Sequence, residues 1–186
     1  MKLRALAIAL AVLLVPAAAH AGGFYGGFGI GGDARLGKDL ADRYDSADQT
    51  AGRLMLGRRS GPWAIEGVFF GTDLIDTADG QEVSSQSLGA DLKYYLPLTS
   101  GLELYVRGGL HLARIEGIGQ ETVASGRGFD YGTGLQYAFR MFPALQAAVW
   151  IDLTKQAVTL GNDRFGGDME GEIKMITLGV SIGTGL

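Results

Sequence analysis

Apolar and polar positions alternate along much of this chain, most cleanly from Leu102 to Arg114, which reads LELYVRGGLHLAR. Leu102, Leu104, Val106, Leu110 and Leu112 share one parity, while Glu103, Tyr105, Arg107, Gly109, His111 and Ala113 share the other. Successive side chains of a strand point to opposite faces, so this segment is a ribbon with an apolar side and a charged side. Its length is close to the roughly 9–11 residues that a tilted strand needs to cross a bilayer. A soluble sandwich would also accept such a strand, apolar side inward, so the other segments decide which side faces what.

Seven further segments alternate. Phe24, Gly26, Phe28 and Ile30 form a row opposite Tyr25, Gly27, Gly29 and Gly31; Ala51 to Arg58 sets Leu54 and Leu56 against Arg53 and Met55. Trp63, Ile65, Gly67 and Phe69 oppose Ala64, Glu66, Val68 and Phe70, and Leu88, Ala90, Leu92 and Tyr94 oppose Gly89, Asp91, Lys93 and Tyr95. Arg127 to Phe139, Leu145 to Leu153 and Met175 to Ile182 continue the pattern. The connections alternate in length. Gly32–Thr50, Thr72–Ser85, Ile115–Gly126 and Thr154–Glu172 read as long polar loops, whereas Ser60-Gly61-Pro62, Leu96–Gly101 and Met141-Phe142-Pro143 read as tight turns. An even number of strands joined by alternating long loops and short turns predicts an all-β, eight-stranded antiparallel up-and-down transmembrane barrel, with both chain ends on the side of the short turns.

The polar parity favours lipid outside and charge inside. It collects Arg53, Glu66, Asp91, Lys93, Glu103, Arg107, His111, Asp130 and Asp152, separated by glycines. Mixed signs suit a closed interior where charges pair, and the glycines make room for large side chains in a narrow eight-stranded lumen. Outward aromatics are expected in two girdles at the headgroups. Trp63, Tyr94 and Phe139 lie beside short turns, and Phe69, Phe129 and Tyr131 lie toward the opposite rim. An exported lipocalin-like barrel, soluble and binding an apolar ligand, is the alternative with the faces reversed.

The first residues give an address. Met1-Lys2-Leu3-Arg4 is a basic start, Ala5 to Val15 an unbroken apolar run, and Ala19-His20-Ala21 a small-x-small cleavage pattern, so residues 1–21 are expected to be a signal peptide and residues 22–186 the barrel domain. The chain carries a net charge of −4, and loss of Lys2 and Arg4 would make it more acidic, which argues against nucleic acid as a partner. There is no cysteine, hence no disulfide framework. Glycine, at 31 of 186 residues, far exceeds its usual share of about 7%, yet proline is scarce, so strands explain the glycine better than disorder does.

GFYGGFGIGG after the cleavage site, GRLMLGRRSGPWAIEGVFFG as a strand-turn-strand unit, LYVRGGLHLARIE and GFDYGTGLQYAF together resemble the OmpA-like outer-membrane β-barrel family. The resemblance spans the mature chain and implies a Gram-negative outer-membrane location, lipopolysaccharide and other outer-membrane lipid as surroundings, assembly by the barrel-assembly machinery, and a monomer. Members usually end on an aromatic residue read by that machinery, whereas this sequence ends Gly183-Thr184-Gly185-Leu186. A peptidoglycan-binding appendage is not expected.

Candidate chemistry is thin. Gly27 to Gly32 fits a dinucleotide fingerprint and Gly32 to Lys38 nearly fits a phosphate loop, but both need a strand-loop-helix unit, and Asp39 stands where the second needs Ser or Thr. His111 is the only histidine beyond the cleavage site. The family includes lipid A deacylase-like barrels that use Ser and His at the rim, but the lumen parity of His111 predicts a hydrogen-bonded interior histidine. Zinc is not expected with one histidine and no cysteine. Asp163, Asp168, Glu170 and Glu172 read as a solvated acidic loop, with Ca²⁺ or lipid phosphates bridged by divalent ions as the alternative. The sequence therefore predicts a non-enzymatic structural or surface barrel without cofactor or metal, whose lumen charges neutralise one another. The alternatives are a small ion-conducting pore and a lipid-modifying enzyme.

Overall fold

A computed structural model of the chain describes residues 22–45, 50–76, 80, 82–117, 122–162 and 168–184. The expected leader, 1–21, and Asp163 lie outside these residues. Strand β1 (Gly22–Lys38) is followed by a single helical turn, α1 (Asp39–Arg43), and a two-residue strand, β2 (Tyr44–Asp45). Seven strands follow: β3 (Ala51–Ser60), β4 (Trp63–Asp76), β5 (Glu82–Thr99), β6 (Leu102–Glu116), β7 (Thr122–Phe142), β8 (Leu145–Asn162) and β9 (Asp168–Gly183). Every neighbouring pair is antiparallel. β1 joins β9 on one side and β3 on the other, and β4 joins both β3 and β5, so eight strands close into a ring with no free edge. Closure satisfies the backbone of each strand through its neighbours, which a chain surrounded by hydrocarbon requires. The ninth strand, β2, pairs with the end of β4 beyond the point where β3 begins.

The tight turns fall at one end of the ring. Gly61 and Gly101 both adopt positive φ, +59° and +82°, a conformation glycine reaches without steric cost. The four connections at the other end differ from the sequence reading. The segments expected to be long loops are largely strand: β6 runs to Glu116 and β7 starts at Thr122, while β8 runs to Asn162 and β9 starts at Asp168. At about 3.3 Å per residue the 21 residues of β7 are far longer than a membrane crossing needs. The barrel wall therefore continues beyond the apolar zone.

Along each strand the two faces part sharply. Leu110 and Leu112 are 75% and 69% exposed, whereas Arg107 and His111 are buried. Ile30, Leu54, Ile65, Leu88, Leu153 and Leu178 continue this exposed apolar band around the ring. In water such a band would be a large unfavourable patch, and covering it with hydrocarbon removes that cost. A soluble lipocalin-like arrangement, with aliphatics inward, is thereby ruled out. Beyond the band the polarity inverts. Leu36, Leu40, Tyr44, Leu74, Ile115, Leu160, Met169 and Ile173 turn inward and pack together, while Lys155, Thr159, Glu170 and Glu172 face outward. That end is built as a small soluble barrel would be, apolar inside and polar outside.

Candidate functional site

The interior of the apolar zone is filled by charge. β6 carries Arg107 inward, where its guanidinium reaches Asp91 on β5 at 2.5 Å, Asp152 on β8 at 3.1 Å, and Asp130 on β7. β3 brings Arg53 from the opposite wall to Glu66 and Asp152, both at 3.0 Å, with Asp91 at 3.9 Å. Lys93 donates to Glu66 at 2.6 Å. Tyr25 and Tyr105 donate to the same carboxylates, Glu66 at 2.5 Å and Asp152 at 2.8 Å. Arg53 and Arg107 both stand over the Phe70 ring, 5.3 and 5.4 Å from its centre, and Lys93 lies 4.2 Å from the Tyr105 ring centre. Charges this deep are stable only when paired, and each of the seven charged groups has an ion pair within the set, while Arg53 Nε and Asp130 Oδ1 are left without a hydrogen bond.

Two residues expected in this set stand apart. Glu103 sits nearer the tight turns and forms a two-pronged pair with Arg59, at 2.7 and 2.8 Å, while Arg59 stacks 4.0 Å over Tyr95. Arg59 shares the inward parity of Arg53 and Met55, but it lies past Arg58, where the sequence pattern ends that strand, whereas β3 runs on to Ser60. His111 is buried on the lumen side, but neither imidazole nitrogen has a hydrogen-bond partner among the described residues, which corrects the expectation of a hydrogen-bonded histidine. The reason lies across the strands. His111 is flanked by Gly89 and Gly128, which offer no side-chain acceptor, and a Cβ on Gly128 would lie only 2.9 Å from Nε2.

Above the charged layer Gln156 donates to Ser87 at 3.1 Å, and above that the apolar cluster begins. Leu40 of α1 is 1% exposed and occupies the space that the missing side chain of Gly171 leaves. A Cβ at Gly171 would collide with Leu40 Cδ1. Sequence reading missed this cluster, although it carries a signal: inward apolar positions of β9 are odd at Met169 and Ile173, and the apolar parity turns even from Ile176 to Ile182. The acidic residues near it are strand residues of β9, not a solvated loop: Glu170 accepts from Lys38 and Glu172 pairs with Lys155, each at 2.9 Å. No cluster among the described residues has a metal-ligating composition. Gly27 to Gly32 lies inside β1, without the strand-loop-helix geometry that nucleotide binding needs.

On the outer wall Trp63 and Tyr94 pack with ring centres 4.6 Å apart beside the short turns, and Tyr137 stacks on Phe139 nearby. Phe129 stacks on Tyr131 toward the other rim, where Phe69 is also exposed.

A closed ring of antiparallel strands, apolar without and charged within, is the architecture of a membrane-spanning β-barrel of the smallest, side-chain-filled kind. The family model for the outer membrane protein beta-barrel domain matches residues 7–182, and the chain belongs to that family, which implies the cell outer membrane as its location. Among solved structures it is similar to Neisserial surface protein A, with a TM-score of 0.62 and 15% identity over 88% of this chain and 99% of that one. It is also similar to Ail, the attachment invasion locus protein of Yersinia pestis, with a TM-score of 0.50 and 18% identity over 88% and 99% of the two chains. AlkL, an outer membrane protein solved in lipid bilayers, matches with a TM-score of 0.50 and 14% identity over 92% of this chain and 95% of that one. These likenesses concern the fold. No curated protein matches the chain.

Proposed function

We propose that this outer membrane barrel is a sealed, non-enzymatic, monomeric structural and surface protein, braced by its interior and presenting the wall that projects beyond the lipid. The observation that carries this reading is a double closure. The paired charges of Arg53, Glu66, Lys93, Arg107 and Asp152 fill the middle, and the apolar cluster around Leu40 fills the end away from the tight turns. An ion would have to break buried ion pairs and then cross an apolar layer, and both steps are costly. Against enzymatic hydrolysis, His111 points into the packed interior, away from the lipid-facing rim where an ester would lie.

Single-channel recording across a planar bilayer tests the sealed interior. The wild-type barrel should give no discrete conductance steps. Discrete steps that vanish in Arg107→Ala would make the protein a pore, and fatty-acid release from lipid A that is lost in His111→Ala would make it an enzyme.

A further inference from the structure

We propose that the barrel interior is a proton-binding site: one proton, shared by the carboxyl groups of Asp91 and Asp130, balances the charge of the lumen. The inference rests on the sealed interior proposed above, because water in the lumen would solvate an odd charge. The buried set holds three cations, Arg53, Lys93 and Arg107, and four carboxyl groups, Glu66, Asp91, Asp130 and Asp152. Around them β1 adds the hydroxyl of Tyr25, and β6 adds the hydroxyl of Tyr105 and the imidazole of His111. β9 brings no charged side chain inward among the described residues. The Arg59–Glu103 pair, nearer the tight turns, balances itself. Four anions against three cations leave one buried negative charge without a counterpart, which is costly.

The pairings show where the excess sits. Arg53 is taken by Glu66 and Asp152, with Asp91 only at 3.9 Å, and Lys93 is taken by Glu66. Arg107 directs Nε and Nη2 to Asp152 and Thr154. That leaves a single nitrogen, Arg107 Nη1, which donates both to Asp91, at 2.5 Å, and to Asp130. These two aspartates flank Gly109, one on each neighbouring strand, and a Cβ on Gly109 would collide with Asp91 Oδ1. A bare glycine is all that stands between the two carboxyls in the register, and like charges so placed resist ionising together. A second observation marks the same spot. Asp130 Oδ1 is buried and has no hydrogen-bond partner among the described residues, and neither has either nitrogen of His111. His111 lies diagonal to Asp130 on the same inward face, its Nε2 leaning over Gly128. A proton on this pair removes the odd charge and turns a bare carboxylate oxygen into a donor, for which the imidazole and the second carboxylate are acceptors. The proton belongs to the pair and not to either residue.

The test compares urea unfolding of the full barrel in lipid vesicles, read by the folded gel band, for wild type and for Asp130→Asn, a change of equal size that removes the odd charge. An unfolded aspartate releases its proton near pH ~3.9. Above that value a folded lumen that keeps its proton binds one more than the unfolded chain, so its stability falls as pH rises. The ratio of unfolding constants, wild type over variant, should therefore rise about tenfold or more from about pH 5 to about pH 8. Taking the ratio cancels the groups that both proteins share. Asp91→Asn, on the other side of Gly109, should give the same rise and supplies the readout should Asp130→Asn lose its folded band. Glu172→Gln, on the outer wall, should give a nearly flat ratio. A flat ratio for either folded aspartate variant overturns the proposal, because carboxylates ionised in both states give no slope. A ratio that follows sodium or potassium concentration at fixed pH overturns it too, since an alkali ion would then balance the lumen. Discrete conductance in the planar-bilayer recording fails the sealed interior and this inference with it, whereas a silent barrel with a flat ratio fails this inference alone.

Discussion

Arg53 and Arg107, from opposite walls of the barrel, hold one carboxylate between them: Asp152 lies 3.0 Å from the first guanidinium and 3.1 Å from the second. Two buried cations converge here because Asp152 separates them and Glu66, Asp91 and Asp130 cover their remaining sides. Asp152→Ala leaves both guanidiniums short of a partner, and removing one member of a buried pair costs about 3–5 kcal/mol. The urea midpoint for loss of the folded gel band should fall accordingly. Asp152→Asn should cost less, because its one amide oxygen can still accept from Tyr105 and its volume leaves no cavity. An unchanged midpoint in Asp152→Ala would mean that water reaches and solvates these charges.

Leu40 closes the far end of the barrel from a single helical turn. Leu40→Ala should cost about 2 kcal/mol or more, the usual loss for a buried leucine. The effect should be regional: amide exchange should quicken in α1 and in β9 around Gly171, and stay slow from Ile176 to Ile182. Gly171→Val should do the same by expelling Leu40, since its Cβ would occupy the leucine's place. Exchange rising equally along the whole of β9 would refute two separately packed layers.

Leu110 is the most exposed large apolar side chain among the described residues and sits within the lipid-facing band. Leu110→Arg should destabilise the barrel by more than about 1 kcal/mol in lipid vesicles, since a cation inside the apolar band costs more than one at its interfaces. Thr122→Arg, on the projecting wall, should change stability by less than about 0.5 kcal/mol. Similar costs at the two sites would place the membrane elsewhere on the wall.

Acid acts on the projecting wall through exposed pairs. The ammonium of Lys155, hydrogen-bonded to Glu172, holds that carboxyl below the usual glutamate range, and Glu170 raises the ammonium of Lys38. A depressed carboxylate contributes stability above its ordinary value and loses it as pH falls through its lowered one. For Lys38, whose ammonium is raised, the contribution is present through the neutral and acid range and is lost as pH rises through the raised value. Both pairs are solvent-exposed, so the change in overall stability should be small. The measurable outcome is Glu172 titrating below an unperturbed glutamate by carbon-detected NMR, with the difference removed in Lys155→Gln. A normal titration in the wild type would mean that the pair is not maintained in solution.

Much of this molecule can be read from alternation alone. The parity of Leu102 to Leu112 and its repetition in seven other segments determine the eight strands, their antiparallel order and the face that meets lipid, because side-chain direction in a strand follows position number. The opposing charges of the polar parity are equally visible. Partners are not. That Arg59 meets Glu103, that Asp152 serves two arginines, and that His111 stands between glycines depend on which positions face each other across a closed ring. The polar segments between the strands read as loops because their outward residues are as polar as water requires, yet their backbones continue the ladder. Their inward residues, Leu74, Ile115, Leu160 and Ile173, form a second core that no single strand announces. Solvent explains the difference. One wall passes from hydrocarbon into water, the favourable side for an apolar residue reverses at that boundary, and only the assembled barrel fixes where each strand crosses it.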